Sequence, residues 1–367
     1  MTEGTIPDHN VGQRLIFVIL LFLALSACDD SDQVHAPPVP TELVFYNYAE
    51  DTPQSVLDAF EREFGIKIAY RVYDSPEESA ERLRAGMPCD VALIENQLVH
   101  PLVKEGLLAP INMSNIPNFK NISPNFRDLA FDPGNRHSIP ADYGTTGLLI
   151  RTDLIGEGLK RWADLWDPRL AGRIGLRGQP REVIGMTLLS LGFSLNSENP
   201  EELAAASRRL QELRPSVAMI DLEPSLAVPR LLSGEIAVLH GYSSDHQLAI
   251  DANPAVRFVL PAEGSALWGD SYVVLTTSRR QNEAETFINF LMRPEIAAMI
   301  VNEKGYASAN EAARQFVDPA IRDNPVVHPP LEELRQINII GSLSPAGEKL
   351  YARVWDEFLQ NATGRGE

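Results

Sequence analysis

Positive charge is in short supply in this chain. Its 367 residues hold 32 Lys and Arg against 50 Asp and Glu, a formal net charge of −18 at pH 7. Such a surface repels nucleic acid and anionic lipid, so no nucleic-acid partner is expected. It favours cationic ligands in a general way, although excess acid also serves simply to keep an exported protein soluble. Catalytic signatures are missing too. The chain has no Gly-x-Ser-x-Gly elbow, His-Glu-x-x-His pair, P-loop or Gly-x-Gly-x-x-Gly. The seven histidines (His9, His35, His100, His137, His240, His246 and His328) are scattered. Only His240 and His246 lie close, and weakly so for a metal pair, so surface or supporting roles are expected for each. No pair of carboxylates stands out as an acid/base dyad. Neither an enzyme nor a metal or cofactor is expected.

Cysteine is nearly absent: Cys28 and Cys89 only. Long apolar runs are scarce as well. Leu15 to Ala27 is apolar, but shorter than the ~20 residues that span a bilayer. It has the length of a signal-peptide core and ends in small residues, as a cleavage site does. Leu25-Ser26-Ala27-Cys28 resembles the lipobox of bacterial lipoproteins, in which the cysteine becomes residue one of the mature chain and is acylated. The alternative is an ordinary signal peptide with a chance cysteine. Arg14 alone stands against Glu3 and Asp8 before the run, which is poor for a signal peptide and points to a start downstream of Met1. With Cys28 acylated, Cys89 is the only thiol, no intramolecular disulfide is possible, and a buried, inert thiol is expected. Residues 28–41, acidic and then proline-rich, read as a tether from lipid to fold.

What is present is an α/β rhythm. Leu43-Val44-Phe45-Tyr46 reads as a strand. A helix follows, with Thr52 as N-cap, Val56, Leu57, Phe60 and Phe64 on one face, and Gly65 ending it. A strand at 66–72, a helix at 76–85, a strand at 90–94 and a helix at 96–105 complete a βαβαβα series. Ligands in such sheets bind at the carboxyl ends of strands. Here those ends are 46–51, 73–75 and 95–97. A second series has strands near 147–150, 173–176, 217–220 and 236–240, and helices near 181–191 and 200–213. A strand at 272–276 and helices at 284–292 and 346–360 close the chain.

Several stretches in order resemble the spermidine/putrescine-binding proteins of polyamine ABC importers. They are Tyr46-Asn47-Tyr48-Ala49-Glu50, Phe131-Asp132-Pro133-Gly134-Asn135, Ser138-Ile139-Pro140 leading to Tyr143-Gly144, Trp162-Ala163-Asp164-Leu165-Trp166-Asp167-Pro168, Trp268-Gly269-Asp270-Ser271 and Gly305-Tyr306. The resemblance implies a two-lobed, hinged periplasmic-binding-protein fold, each lobe a mainly parallel sheet flanked by helices. By that analogy one lobe takes 42–143 and 268–315, and the other 144–267 and 316–367. It also implies a monomer that works outside the cytoplasm.

A polyamine is a methylene chain with terminal ammoniums. Carboxylates must meet the ammoniums, and aromatic faces must line the methylenes. The resemblance places Tyr48, Tyr242 and Trp268 as the aromatics, and Glu50, Glu182 and Asp270 as the carboxylates. Tyr306 and Gln336 match further polar contacts. Four positions depart from the family. A family aspartate falls at Gln179, a serine at Glu95, and tyrosines at Asp51 and Gln97. One acid is thus lost from the second lobe and two are gained in the first, which shifts the charge-binding end towards the first lobe. The alternatives are plainer: Trp268 and Tyr48 as core aromatics, Glu182 as a first-turn helix acid, and Asp51 and Glu95 as solvated rim residues. The expected partners are a small cationic amine and a membrane permease, or a membrane sensor in its place. An anion-binding protein is disfavoured, because no arginine or lysine is expected in the pocket.

Overall fold

The computed structural model describes residues 1, 4, 42–49, 51–221, 226–329 and 337–363. Apart from Met1 and Gly4, the signal segment 1–27 and the tether 28–41, with Cys28, lie outside them, as do Glu50 and Gln336.

The chain enters the fold at β1 (Glu42–Tyr48). It crosses through α1 (Gln54–Phe64) to β2 (Lys67–Tyr73), then through α2 (Pro76–Arg84) to β3 (Val91–Glu95), which is followed by α3 (Asn96–Lys104). β1 pairs in parallel with both β2 and β3. The buried face of α1 is Val56, Leu57 and Phe60. Gly65, at φ 67°, stops the helix and donates its N–H to Glu61 O, a conformation glycine adopts without a side-chain clash. Thr52 does not cap α1, as the sequence suggested. Pro53 is the N-cap, and the Thr52 hydroxyl instead accepts from Asn47 Nδ2 at 3.1 Å.

The centre is antiparallel. β4 (Ser138–Arg151) is 14 residues long, where only 147–150 was expected, because Pro140 and Gly144 break the apolar pattern. Its first half pairs with β9 (Ser265–Val274), with a bulge between Pro140 and Asp142. Its second half pairs with β7 (Val238–Tyr242) and β8 (Val256–Val259). Beyond β7, β5 (Ile174–Arg177) and β6 (Val217–Asp221) continue in parallel. The order is β2-β1-β3-β9-β4-β7-β5-β6. Two parallel groups therefore flank an antiparallel pair, and the sheet as a whole is mixed. The helices around the second group are α4 (Pro180–Ser190), α5 (Pro200–Leu213), α6 (Ala227–Ser233) and α7 (Ser243–Ile250). Next come α8 (Gln281–Leu291), α9 (Pro294–Lys304), the two-residue β10 (Ala307–Ser308) on β4, β11 (Ile337–Ile339) on β9, and α10 (Pro345–Thr363).

Two main cores follow from this. Leu43, Phe45, Val91, Leu93, Ile139, Tyr272 and Val274 pack on Phe60, Phe287 and Phe290. Leu148, Ile150, Trp162, Leu176, Val183, Leu210, Val238, Trp355 and Phe358 form the other. Fully burying each such side chain contributes about 1.5–3 kcal/mol. Val317, Ile321 and Val327 pack on Ala297, Ala298 and Val301. Cys89 is buried, with its thiol donating to Val91 O at 3.0 Å. His240 is not at the surface: it is fully buried beside Trp162, and burial pushes its pKa down to about 3.

Candidate functional site

One face of β3, β9 and β4 carries the apolar core and then, at its end, turns acidic. Along β9, Val274 and Tyr272 are core residues, and the next on that face are Asp270 and Trp268. Asp270 pairs with Glu95 of β3 on one side and with Asp142 of β4 on the other. Three carboxyls therefore stand in one row across three neighbouring strands. Like charges directly opposite destabilise a sheet, so this is not an arrangement that folding alone selects. Asp142 and Asp270 are each only 7% exposed, and each has an Oδ1 without a hydrogen-bond partner. Both are acceptors, and neither satisfies the other until one binds a proton. Burial, and then the charges of Asp142 and Asp51, hold Asp270 well above the usual carboxylate range. Burial, reinforced by Asp51, does the same for Asp142. Glu95 is raised by burial, then by Asp270 and Glu182.

Asp51 joins this wall from the loop after β1. Its carboxylate accepts from Tyr306 at 2.9 Å and from Asn47 Nδ2 at 3.1 Å. Burial raises its pKa, partly offset by those bonds and by Lys304. Tyr48 donates to Glu95 at 3.3 Å and packs on Tyr73 at 4.3 Å between ring centres. Gln97, at the start of α3, has a buried Oε1 without a hydrogen-bond partner, while its carbonyl accepts from Ser342 at 2.6 Å.

The facing wall comes from α4 and β7. Glu182, 4% exposed, accepts from Thr146 at 2.6 Å and from Tyr242 at 3.3 Å. Burial pushes its pKa up to about 7, against the pull of those hydroxyls. It is therefore more than a first-turn acid. An arginine is present where none was expected: the Arg177 guanidinium lies over the Tyr242 ring at 5.1 Å. Arg177 is bound to Asp245 at 2.5 Å, which balances its charge. Gln179 is the N-cap of α4, without a side-chain capping bond.

Trp268 joins the walls. Its ring meets Tyr242 at 5.5 Å and Tyr306 at 6.3 Å, both edge-on, and its Nε1 has no partner. It also packs against the first core, and its ring stands close over Gly144, its partner in β4. A Cβ at position 144 would overlap Cζ2 of Trp268. The structure thus brings Tyr48, Asp51, Glu95, Glu182, Tyr242, Trp268, Asp270 and Tyr306 into one neighbourhood, in which Glu182, Asp270 and Tyr306 are buried and the others half-buried. Glu50 and Gln336 lie outside the described residues. Two surface hollows, of about 570 and 190 Å³, lie elsewhere and gather no such set.

Sequence reasoning missed Asp142, Thr146 and Arg177. The missed signal for Asp142 was an acid inside a strand otherwise buried on both faces. The arrangement has acceptors in excess, aromatic faces and no nucleophile with a base. It suits the holding of an organic cation rather than covalent chemistry.

Comparison with known proteins gives the chain a family. Residues 55–329 match the sequence pattern of the bacterial extracellular solute-binding proteins. The spermidine/putrescine-binding periplasmic protein of Escherichia coli (strain K12) is 31% identical over 93% of this chain and 97% of its own length. The putrescine-binding periplasmic protein SpuD of Pseudomonas aeruginosa is 30% identical over 85% of this chain and 90% of its own. A putative spermidine/putrescine ABC transporter structure from Listeria monocytogenes superposes with a TM-score of 0.83 at 30% identity, covering 88% of this chain and all of that one. The fold is that of a two-lobed periplasmic binding protein, and the chain is not an enzyme. It belongs to the bacterial extracellular solute-binding proteins, among their spermidine/putrescine-binding members.

Proposed function

We propose that this protein captures a cationic amine between its two lobes and delivers it to an ABC permease. The observation that carries this reading is the row Glu95–Asp270–Asp142, its two aspartates buried, near Glu182 and flanked by Trp268 and Tyr242. Buried carboxyls without cations are costly unless a positive guest completes them. Asp270 meets the near or internal amine, Glu182 one end, and Trp268, Tyr242 and Tyr48 line the methylenes. Asp51, Gln97, Tyr306 and Gln179 complete the walls, with Glu50 and Gln336 as further contacts. The lobes follow the two cores: 42–143 and 268–315 with 316–327 in one, and 144–267 with the remaining C-terminal segment in the other. They close about β4 and β9, the strands that pass between the cores. Closure is driven only by contacts made to both lobes. The working form is a monomer outside the cytoplasm, held to a membrane by an acylated Cys28.

A thermal-shift screen of the soluble chain with amines, amino acids and anions tests this. Putrescine or spermidine should raise the melting temperature increasingly with excess over Kd. A shift with an anion or a neutral amino acid, and none with any amine, would overturn the reading.

A further inference from the structure

We infer that Asp142 is a ligand-contacting residue that makes this cleft prefer three cationic nitrogens over two. The inference rests on the amine-binding reading above and goes past it in naming the residue and the class of amine.

Charge is the starting point. Asp51, Glu95, Asp142 and Asp270 share the first wall, and Glu182 stands on the second. Around Asp270 the facing groups are Glu95 from β3, Asp142 from β4, Asp51 from the β1 loop and Glu182 from α4. The cations nearby do not cover this charge. Arg177 is bound to Asp245, Arg181 donates only to the neutral Asn196 and Gly341 O and acts on Glu95 at a distance, and Lys304 only tempers Asp51. A diamine brings two charges to five carboxyls, so protons must remain in the row. A triamine brings a third charge that can replace one of them.

Geometry places that third charge. The register sets Asp142 directly opposite Asp270, and side chains so paired stand about 5 Å apart at Cβ. One ammonium between them can donate to both. The empty Oδ1 of each, in side chains 7% exposed, is what such a guest would fill. Gln97, 9% exposed with its Oε1 unpartnered, marks the same wall as built for a donor. The bulge between Pro140 and Asp142 is what brings Asp142 onto this face. Without the extra residue, position 142 would point to the other side of the sheet.

Isothermal titration calorimetry at pH 7 with putrescine and with spermidine, each in two buffers of different ionisation enthalpy, tests this on wild type, Asp142→Asn and Asp142→Val. In wild type, spermidine should bind at least tenfold more tightly than putrescine and release more protons. In Asp142→Asn, spermidine should weaken roughly 10- to 100-fold. Putrescine should change less than threefold, and the proton release with spermidine should fall. Asp142→Val, which also removes the hydrogen-bonding group, should behave alike. Equal loss for both amines, or no loss for either, in a variant that melts like wild type overturns the inference and leaves amine binding standing. Wild type that binds neither amine overturns the amine-binding reading itself.

Discussion

The two walls of the cleft solve the same problem in opposite ways. On the second wall the groups around Tyr242 have partners. Glu182 has two hydroxyl donors, Arg177 has Asp245, and the position after β5 is the neutral Gln179. On the first wall, Asp142 and Asp270 face each other with oxygens unfilled, beside Glu95 and Asp51. On the proposed reading, the second wall is organised before a guest arrives and the first is completed by one. Stability is then sacrificed on the first wall for binding, and the guest's charge belongs there.

The sharpest way to break this contrast is to neutralise each wall in turn. Asp270→Asn should weaken amine binding about 100-fold or more, because it leaves a desolvated ammonium short of its partner. It should also raise the melting temperature of the unliganded protein, since a frustrated charge is gone. Glu182→Gln should cost only about tenfold in affinity and raise the melt less than Asp270→Asn does. Calorimetry and melting curves on both variants check the pair, and an inverted ranking would assign the dominant charge to the wrong wall.

The pH dependence of the unliganded protein follows from the same groups. A carboxyl raised in the folded state stabilises the fold fully below its unfolded pKa and loses that contribution as pH rises through the folded one. For Glu182 the window runs from about 4.5 to about 7, and Asp270, Glu95 and Asp142 add in the same direction. The melting temperature should fall by roughly 2–4 °C or more between pH 5 and pH 8. Saturating amine should abolish the fall. A flat profile without ligand would mean that the first wall is not charge-frustrated.

The smallest effect tests the neutral corner. Gln179→Asp adds an acid at the N-cap of α4, where the helix dipole also favours it. Diamine affinity should rise about fivefold by calorimetry, with no gain for a monoamine.

Much of this was legible in the sequence, and what was hidden has physical causes. The βαβ rhythm of 43–105 shows because its strands are short apolar runs and its helices have one-sided faces. Strand β4 did not show, because Pro140 and Gly144 interrupt it and both its faces are covered. Asp142 went unnoticed with it, since only the bulge decides which face it takes. Arg177 was overlooked because its partner Asp245 lies 68 residues away in the chain. The aromatic and acidic candidates at 48, 182, 242, 268 and 270 came from the family likeness. Periodicity would not have separated them from ordinary core.

Trp268 resting on bare backbone at Gly144 has an evolutionary consequence. Any side chain at 144 evicts the indole, so the floor of the gap cannot be raised by a small step there. On the proposed reading, a change of preference from one amine to another must then travel through positions away from this platform, such as Gln179 at the N-cap of α4.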